Sequence, residues 1–263
     1  MVPPTPSTYE RSAVAGAEYR DLDRERLQLF LGRRAPSLLE QSPPERVAAS
    51  LGYLGASNNR LVPTVAGLAL FGSLPQVLRP EWGVSLVRIN GTRLSDPVAM
   101  QQDLEGALPS LLEQATGFVA EHSRSMSTMA ALDGAEPEYP ANVVREAVLN
   151  ALVHRDYRLT GRASVRLLDD RMEVWSPGGM AAQFAPEQIA LKGGVSFPRN
   201  PLMAATARAL GIMDQIGRGL VSIRQTMAEV TTSPVQVAAS QADFLLVVPS
   251  RLSQTTTIEN GGN

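Results

Sequence analysis

The sequence predicts an α/β sandwich, a mixed and mostly antiparallel sheet packed against helices over residues 81–250, preceded by a small helical unit over residues 19–80. Three observations predict it. Stretches of strand character (84–89, 164–168, 172–175, 244–248) are separated by stretches of helical period. The two longest helical patterns, 97–122 and 142–155, each carry an apolar face wide enough to bury. A hydrophobic fraction of 44% with 19% charged residues is that of a folded globular chain.

In order along the chain, residues 1–18 are rich in proline and small polar residues and read as a flexible segment. From Leu22 the text turns helical. Asp21 or Asp23 can cap, and Leu22, Leu27, Phe30 and Leu31 recur at helical spacing. A second short helix comes after Ser42-Pro43-Pro44 and runs through Val47, Ala48 and Leu51, and a third, opened by Pro63-Thr64, runs from Val65 to Phe71 and stops at Gly72. Three such helices could make a winged-helix-like unit.

After Pro80 the strand 84–89 closes at Asn90-Gly91. The helix 97–122 places Leu104, Leu108, Leu111, Leu112, Ala115 and Phe118 three or four apart. A weak strand near 129–132 and a loop ending at Tyr139-Pro140 lead into helix 142–155. Residues 164–168 and 172–175 flank Asp169-Asp170-Arg171 as a hairpin, and Ser176-Pro177-Gly178-Gly179 then opens a long irregular stretch ending at Arg199-Asn200-Pro201. Two helices, 202–210 and 220–227, precede the last strand, and residues 251–263 read as a disordered tail.

Charge and composition exclude several classes. A net charge of -2 supplies no global attraction for nucleic acid. With no cysteine and two histidines, thiolate chemistry is excluded and a histidine metal cage disfavoured. No apolar run approaches the ~18 residues that span a bilayer, and the amino terminus lacks a signal-peptide core, so a cytoplasmic location with no membrane partner is expected. No GxxxxGK[ST] phosphate loop occurs, which argues against a helicase motor.

The chemistry-bearing pattern is Glu146, Asn150 and His154, four apart on one helix and so on one face, drifting by only ~40° per step. Alone, such a stripe is better explained by surface pairs or caps on neighbouring backbone. The order of segments downstream of it is more specific: a hairpin, Pro-Gly-Gly, a long loop, and Gly217-Arg218-Gly219 opening a helix. An Asn carbonyl suits a hard Mg²⁺ beside triphosphate oxygens, and a Glu one turn away can activate water. Backbone N–H groups at a glycine-started helix can receive phosphate oxygens.

This order resembles the divergent GHKL (Bergerat-fold) ATP-binding branch of helicase-related and transcriptional-regulator proteins. The resemblance runs from about Leu61 to Pro249, through Val65-Ala66-Gly67-Leu68-Ala69-Leu70-Phe71-Gly72, Tyr139-Pro140, Arg145-Glu146-Ala147-Val148-Leu149-Asn150-Ala151-Leu152-Val153-His154-Arg155-Asp156-Tyr157, Ser176-Pro177-Gly178-Gly179, Arg199-Asn200-Pro201 and Gly217-Arg218-Gly219. It implies ATP and Mg²⁺ as ligands, Glu146 as general base, Asn150 as the magnesium residue and His154 in support. It further implies Gly178 and Gly179 in a first glycine box beneath the adenine, Gly217, Arg218 and Gly219 in a second, and Lys192 and Arg199 as lid contacts to phosphate. Ser176 stands where the superfamily usually has an adenine-binding Asp, so a non-catalytic regulator with a degenerate pocket is the rival expectation. A homodimer, DNA or a regulatory protein are the expected partners, although the Schlafen-type, AlbA-like domain credited with nucleic-acid binding in that branch is not in this text.

Overall fold

Apolar residues placed opposite one another on neighbouring strands draw the sheet together. The computed structural model describes residues 6–124, 136–179, 198–213 and 219–253. Its amino-terminal part comprises α1 (Pro6–Tyr9), α2 (Arg24–Arg34), α3 (Pro36–Leu39), α4 (Pro44–Leu51), a two-stranded antiparallel sheet of β1 (Leu54–Ser57) and β2 (Arg60–Pro63), and α5 (Val65–Phe71). The chain continues through β3 (Val84–Ile89), β4 (Val98–Leu104), α6 (Leu108–His122), α7 (Ala141–His154), β5 (Ala163–Leu167), β6 (Arg171–Pro177), α8 (Pro201–Ala209), α9 (Gly219–Val230), β7 (Gln236–Ala239) and β8 (Asp243–Pro249). Six strands form one sheet in the order β4-β3-β5-β6-β8-β7. Only β3 and β5 run parallel, and every other pairing in it is antiparallel.

Register explains the layering. Leu86, Val165, Val174 and Leu246 stand opposite one another across four strands, all buried. Against that face lie α6, through Leu111, Leu112, Ala115 and Val119, and α7, through Val144, Ala147, Val148 and Leu152. Ser85, Ser164 and Trp175 form the adjacent row on the opposite face. α7 is packed between the sheet, α6 and α9, which accounts for its burial on most of its circumference.

Four features depart from the sequence reading. The helix expected over 97–122 begins only at Leu108, because Gly106 has a φ of +132° and Pro109 occupies the first turn. Residues 98–104 form edge strand β4 instead, whose mostly exposed side chains carry no alternation to betray it. The segment expected to be flexible over 1–18 is packed from Glu10 onward. There Ala13 bridges to Thr64, Val14 donates to the Pro63 carbonyl at 2.9 Å, and Val14 and Ala17 enter the core. The β1–β2 hairpin was not expected; Asn58 and Asn59 turn it at φ 48° and 62°, which Asn tolerates better than most residues. The expected strand near 129–132 and most of the carboxyl-terminal tail lie outside the described residues.

The helical unit joins the same hydrophobic cluster as the sheet. Phe30, Tyr53 and Phe71 pack with ring centroids 5.2–5.6 Å apart, Tyr53 edge-to-face with both phenylalanines, and the Tyr53 hydroxyl lies 2.7 Å from Thr206 Oγ1 on α8. α5 is pressed against the chain at Tyr53 so closely that a Cβ on Gly67 would fall onto the Tyr53 carbonyl oxygen, 3.2 Å from its Cα. Helix propensity alone would make Ala about 1 kcal/mol better than Gly here. Gly67→Ala is instead expected to destabilise the protein, by about 1–3 kcal/mol as overpacking does, read as a lower urea midpoint at unchanged slope.

Candidate functional site

The stripe on α7 forms as its spacing requires. Glu146, Asn150 and His154 are each half-buried along one side of the helix, while Val148, Leu149, Leu152 and Val153 fill the core. The Asn150 amide nitrogen donates to Glu146 Oε1 at 3.0 Å. That bond uses the Asn nitrogen and leaves its carbonyl oxygen, the atom a hard cation would take.

The start of α9 faces the stripe. A Cβ on Gly219 would collide with Glu146 Oε1 and sit 2.9 Å from Asn150 Nδ2. Glycine is therefore what lets this end of a 12-residue helix approach the carboxylate and the amide this closely. Gly217, Arg218 and Lys192 lie outside the described residues, so of the second glycine box only Gly219 is placed.

The first glycine box is built around Asp156. Gly178, at φ +95°, backs onto Asp156, whose backbone nitrogen would be 2.9 Å from a Cβ there. Gly179 backs onto the Ser240 carbonyl. Asp156 N donates to Pro177 O at 2.7 Å, fixing the end of β6 against the end of α7, and Gly178 N donates to Ala242 O at 2.6 Å, fixing it to the β7–β8 turn. Arg199 reaches Asp156 Oδ2 at 3.1 Å and also donates to the Gly179 carbonyl, so its guanidinium is engaged with the box itself. Arg158 grips the same carboxylate with Nε at 2.9 Å and Nη2 at 2.6 Å. Burial raises the Asp156 carboxyl, but the hydrogen bonds and charge of Arg158, with the charge of Arg199, outweigh it and hold the group below the usual range.

Ser176 is buried on β6, and its hydroxyl donates to the Ala151 carbonyl at 2.9 Å, tying the sheet to α7. Having donated its proton, it can meet a further polar group only as an acceptor. His154 ends α7. Burial, then the charges of Arg199 and Arg208, push its pKa down to about 4, so the ring is neutral at physiological pH.

Three residues at this end of α7 were not expected to matter. Arg155 is fully buried, donating to Glu81 O at 2.8 Å and Gly161 O at 2.9 Å, with its guanidinium 5.0 Å over the Tyr157 ring. Asn200 donates to both Val153 O and Arg155 O, at 2.8 and 2.9 Å. Asp156 is the third. In the sequence all three stand within the text that carries the resemblance, with no role assigned to them.

Among the described residues no group of three His, Asp or Glu could hold a metal by itself. Any divalent ion here would need ligand oxygens in addition to Asn150. A shallow cleft of about 510 Å³ lined by Ser85, Val87, Arg162, Ser164, Arg166 and Trp175 lies on the opposite face of the sheet, away from the stripe. Asp103, Glu105 and Glu173 neutralise its arginines.

Residues 161–248 match an HATPase-type family model described as Putative ATP-dependent DNA helicase recG C-terminal. The matched segment holds Gly178, Gly179, Gly217 and Gly219 but not the Glu146 helix. No curated protein matches the chain. Among solved structures, the DIP2311 protein from Corynebacterium diphtheriae is similar at 24% identity and a TM-score of 0.63, over 92% of this chain and 46% of that one. The chain thus spans about half the length of that protein, and the likeness is one of fold. The six-stranded sheet with its helix layer is consistent with the α/β sandwich of HATPase-like domains, to which residues 161–248 are similar.

His154 makes the site sensitive to acid. The unfolded chain takes up the imidazole proton near the ordinary 6.5, whereas the folded chain resists until about 4. Acid therefore favours unfolding across that window, and stability is expected to fall by on the order of 3 kcal/mol between its ends. Chemical denaturation at stepped pH should show this slope in the wild type and a shallower one in His154→Gln.

Proposed function

We propose that this chain holds Mg-ATP against the polar side of α7 and works as a nucleotide-dependent switch or slow ATPase. The observation that carries this reading is the Glu146–Asn150 pair, hydrogen-bonded at 3.0 Å and closed upon by the glycine start of α9. In it a carboxylate, an amide oxygen and helix amides converge, which is what a triphosphate, its cation and an attacking water require. Glu146 orients and deprotonates water. Asn150 would hold magnesium through its carbonyl oxygen, which the bond from its nitrogen to Glu146 leaves available. The cation supplies charge neutralisation to the phosphates. Neutral His154 supports the site one turn on, and the amide of Gly219, with Gly217 and Arg218 before it, receives phosphate oxygen.

Gly178 and Gly179 form the floor under the base, and Ser176, limited to accepting, suits the adenine amino group, which only donates. Lys192 is the lid residue we assign to phosphate. Arg199, taken up by Asp156 and the Gly179 carbonyl, locks the floor to the end of α7. Among the described residues no helix is long and apolar enough to cross a membrane, in keeping with a cytoplasmic protein. Ser176 in place of an acidic adenine ligand favours one alternative, a regulator with a degenerate pocket whose helical unit contacts DNA or a second copy.

Titration with a fluorescent ATP analogue in Mg²⁺ is expected to saturate below millimolar nucleotide, with Asn150→Ala removing the magnesium dependence. Glu146→Gln should retain binding while slowing phosphate release about 10²-fold or more. Wild-type protein that binds nothing at millimolar Mg-ATP overturns the reading, and binding with release unchanged by Glu146→Gln favours the regulator.

A further inference from the structure

Glu10 is fully buried. Its carboxylate accepts from the Leu202 amide at 2.7 Å and the Met203 amide at 2.9 Å, across more than 190 positions of chain. These are the unpaired amides in the first turn of α8, since Pro201 has none and Ala204 N already reaches Asn200 O at 2.9 Å. Burying a carboxylate is costly, and burial raises its pKa above the ordinary value although both amides and Arg11 favour the charge. A shorter solution was at hand, because Asn200 stands at the N-cap of α8 and Asn is a preferred capping residue. Its side chain is turned the other way, onto the Val153 and Arg155 carbonyls at the end of α7. Glu10 therefore does for α8 what its own N-cap residue cannot.

We infer that Glu10 is a positioning residue for the nucleotide site, clamping the junction 199–203 so that the amino-terminal unit sets how α8 and the first glycine box sit against α7. Three successive parts of that junction each hold a different element: Arg199 holds Asp156 and the Gly179 carbonyl, Asn200 holds the α7 terminus, and the Leu202 and Met203 amides hold Glu10. The Glu10 carbonyl also accepts from Ala66 N at 2.8 Å, so one residue pins the starts of both α5 and α8. A displacement of the helical unit is thereby passed to the junction, and from there to His154 through Arg199 and Arg208 on α8.

The test compares full-length wild type with Glu10→Gln, whose amide oxygen can satisfy one of the two N–H groups while its NH₂ opposes the other. Amide exchange over 200–210 should accelerate well beyond the change in global stability. The His154 imidazole, followed by NMR and assigned against His122→Gln, should titrate closer to 6.5 than the wild-type value of about 4. Affinity for the fluorescent ATP analogue should fall about tenfold, the effect of one lost hydrogen bond to a charged group. Only that last arm rests on the Mg-ATP reading: wild type that binds no nucleotide sinks that reading alone, whereas unchanged exchange and an unchanged His154 titration sink this one. Should Glu10→Gln not fold, Glu10→Asp, with its charge kept at shorter reach, carries the same readouts.

Discussion

The last turn of α7 is buried, and a helix end leaves carbonyls with no partner inside the helix. Water cannot serve them there, so the rest of the fold must. Ser176 on β6 takes Ala151 O, the Tyr157 hydroxyl takes Leu152 O at 3.0 Å, and Asn200 takes Val153 O and Arg155 O. The sheet, the turn after α7 and α8 are each attached to α7 by an obligation of this one terminus. Leaving any of these carbonyls unmet would cost about 1–3 kcal/mol, so the helix that carries the polar stripe is also the one whose position is most fully determined.

The same end of α7 concentrates positive charge. Arg155, Arg158, Arg199 and Arg208 lie about it, and Asp156 answers two of them directly. Arg155 has no carboxylate partner among the described residues and relies on two carbonyls and the face of Tyr157, which is why burial pulls its pKa down. His154 responds to this field by staying neutral, which spares the interior a further cation. Glu146 and Asn150, two turns and one turn back, face the amino terminus of α9 instead. The stripe therefore runs from a cluster of arginines at the end of α7 to the Glu146 carboxylate two turns back.

How far this was legible depends on the range of the forces involved. α7, the β5–β6 hairpin and β8 were legible because period and turn chemistry are local, and the stripe because its spacing of four is geometry. β4 was hidden: its order comes from hydrogen bonds to β3, while its exposed side chains show no pattern. The roles of Ser176 and Asn200 were also hidden, since their partners are 25 to 47 residues away and nothing local distinguishes a capping amide from a solvated one. The amino-terminal segment misled for the same reason, its prolines and small residues suggesting a tail while Glu10 met its partners on α8.

The family match and the polar stripe bear on each other through this geometry. The match covers 161–248, which holds Gly178, Gly179 and Gly219 but not Glu146, whereas the spacing on α7 places Glu146 and Asn150 on one face. Neither alone distinguishes a nucleotide site from a turn or a solvated helix face. Gly219 joins them, because a helix that starts against Glu146 and Asn150 with no room for a methyl group brings both halves into contact range. A side chain at 219 would satisfy the fold's need for a helix but would push its amides off the stripe. Glycine at 219 is what that direct contact requires.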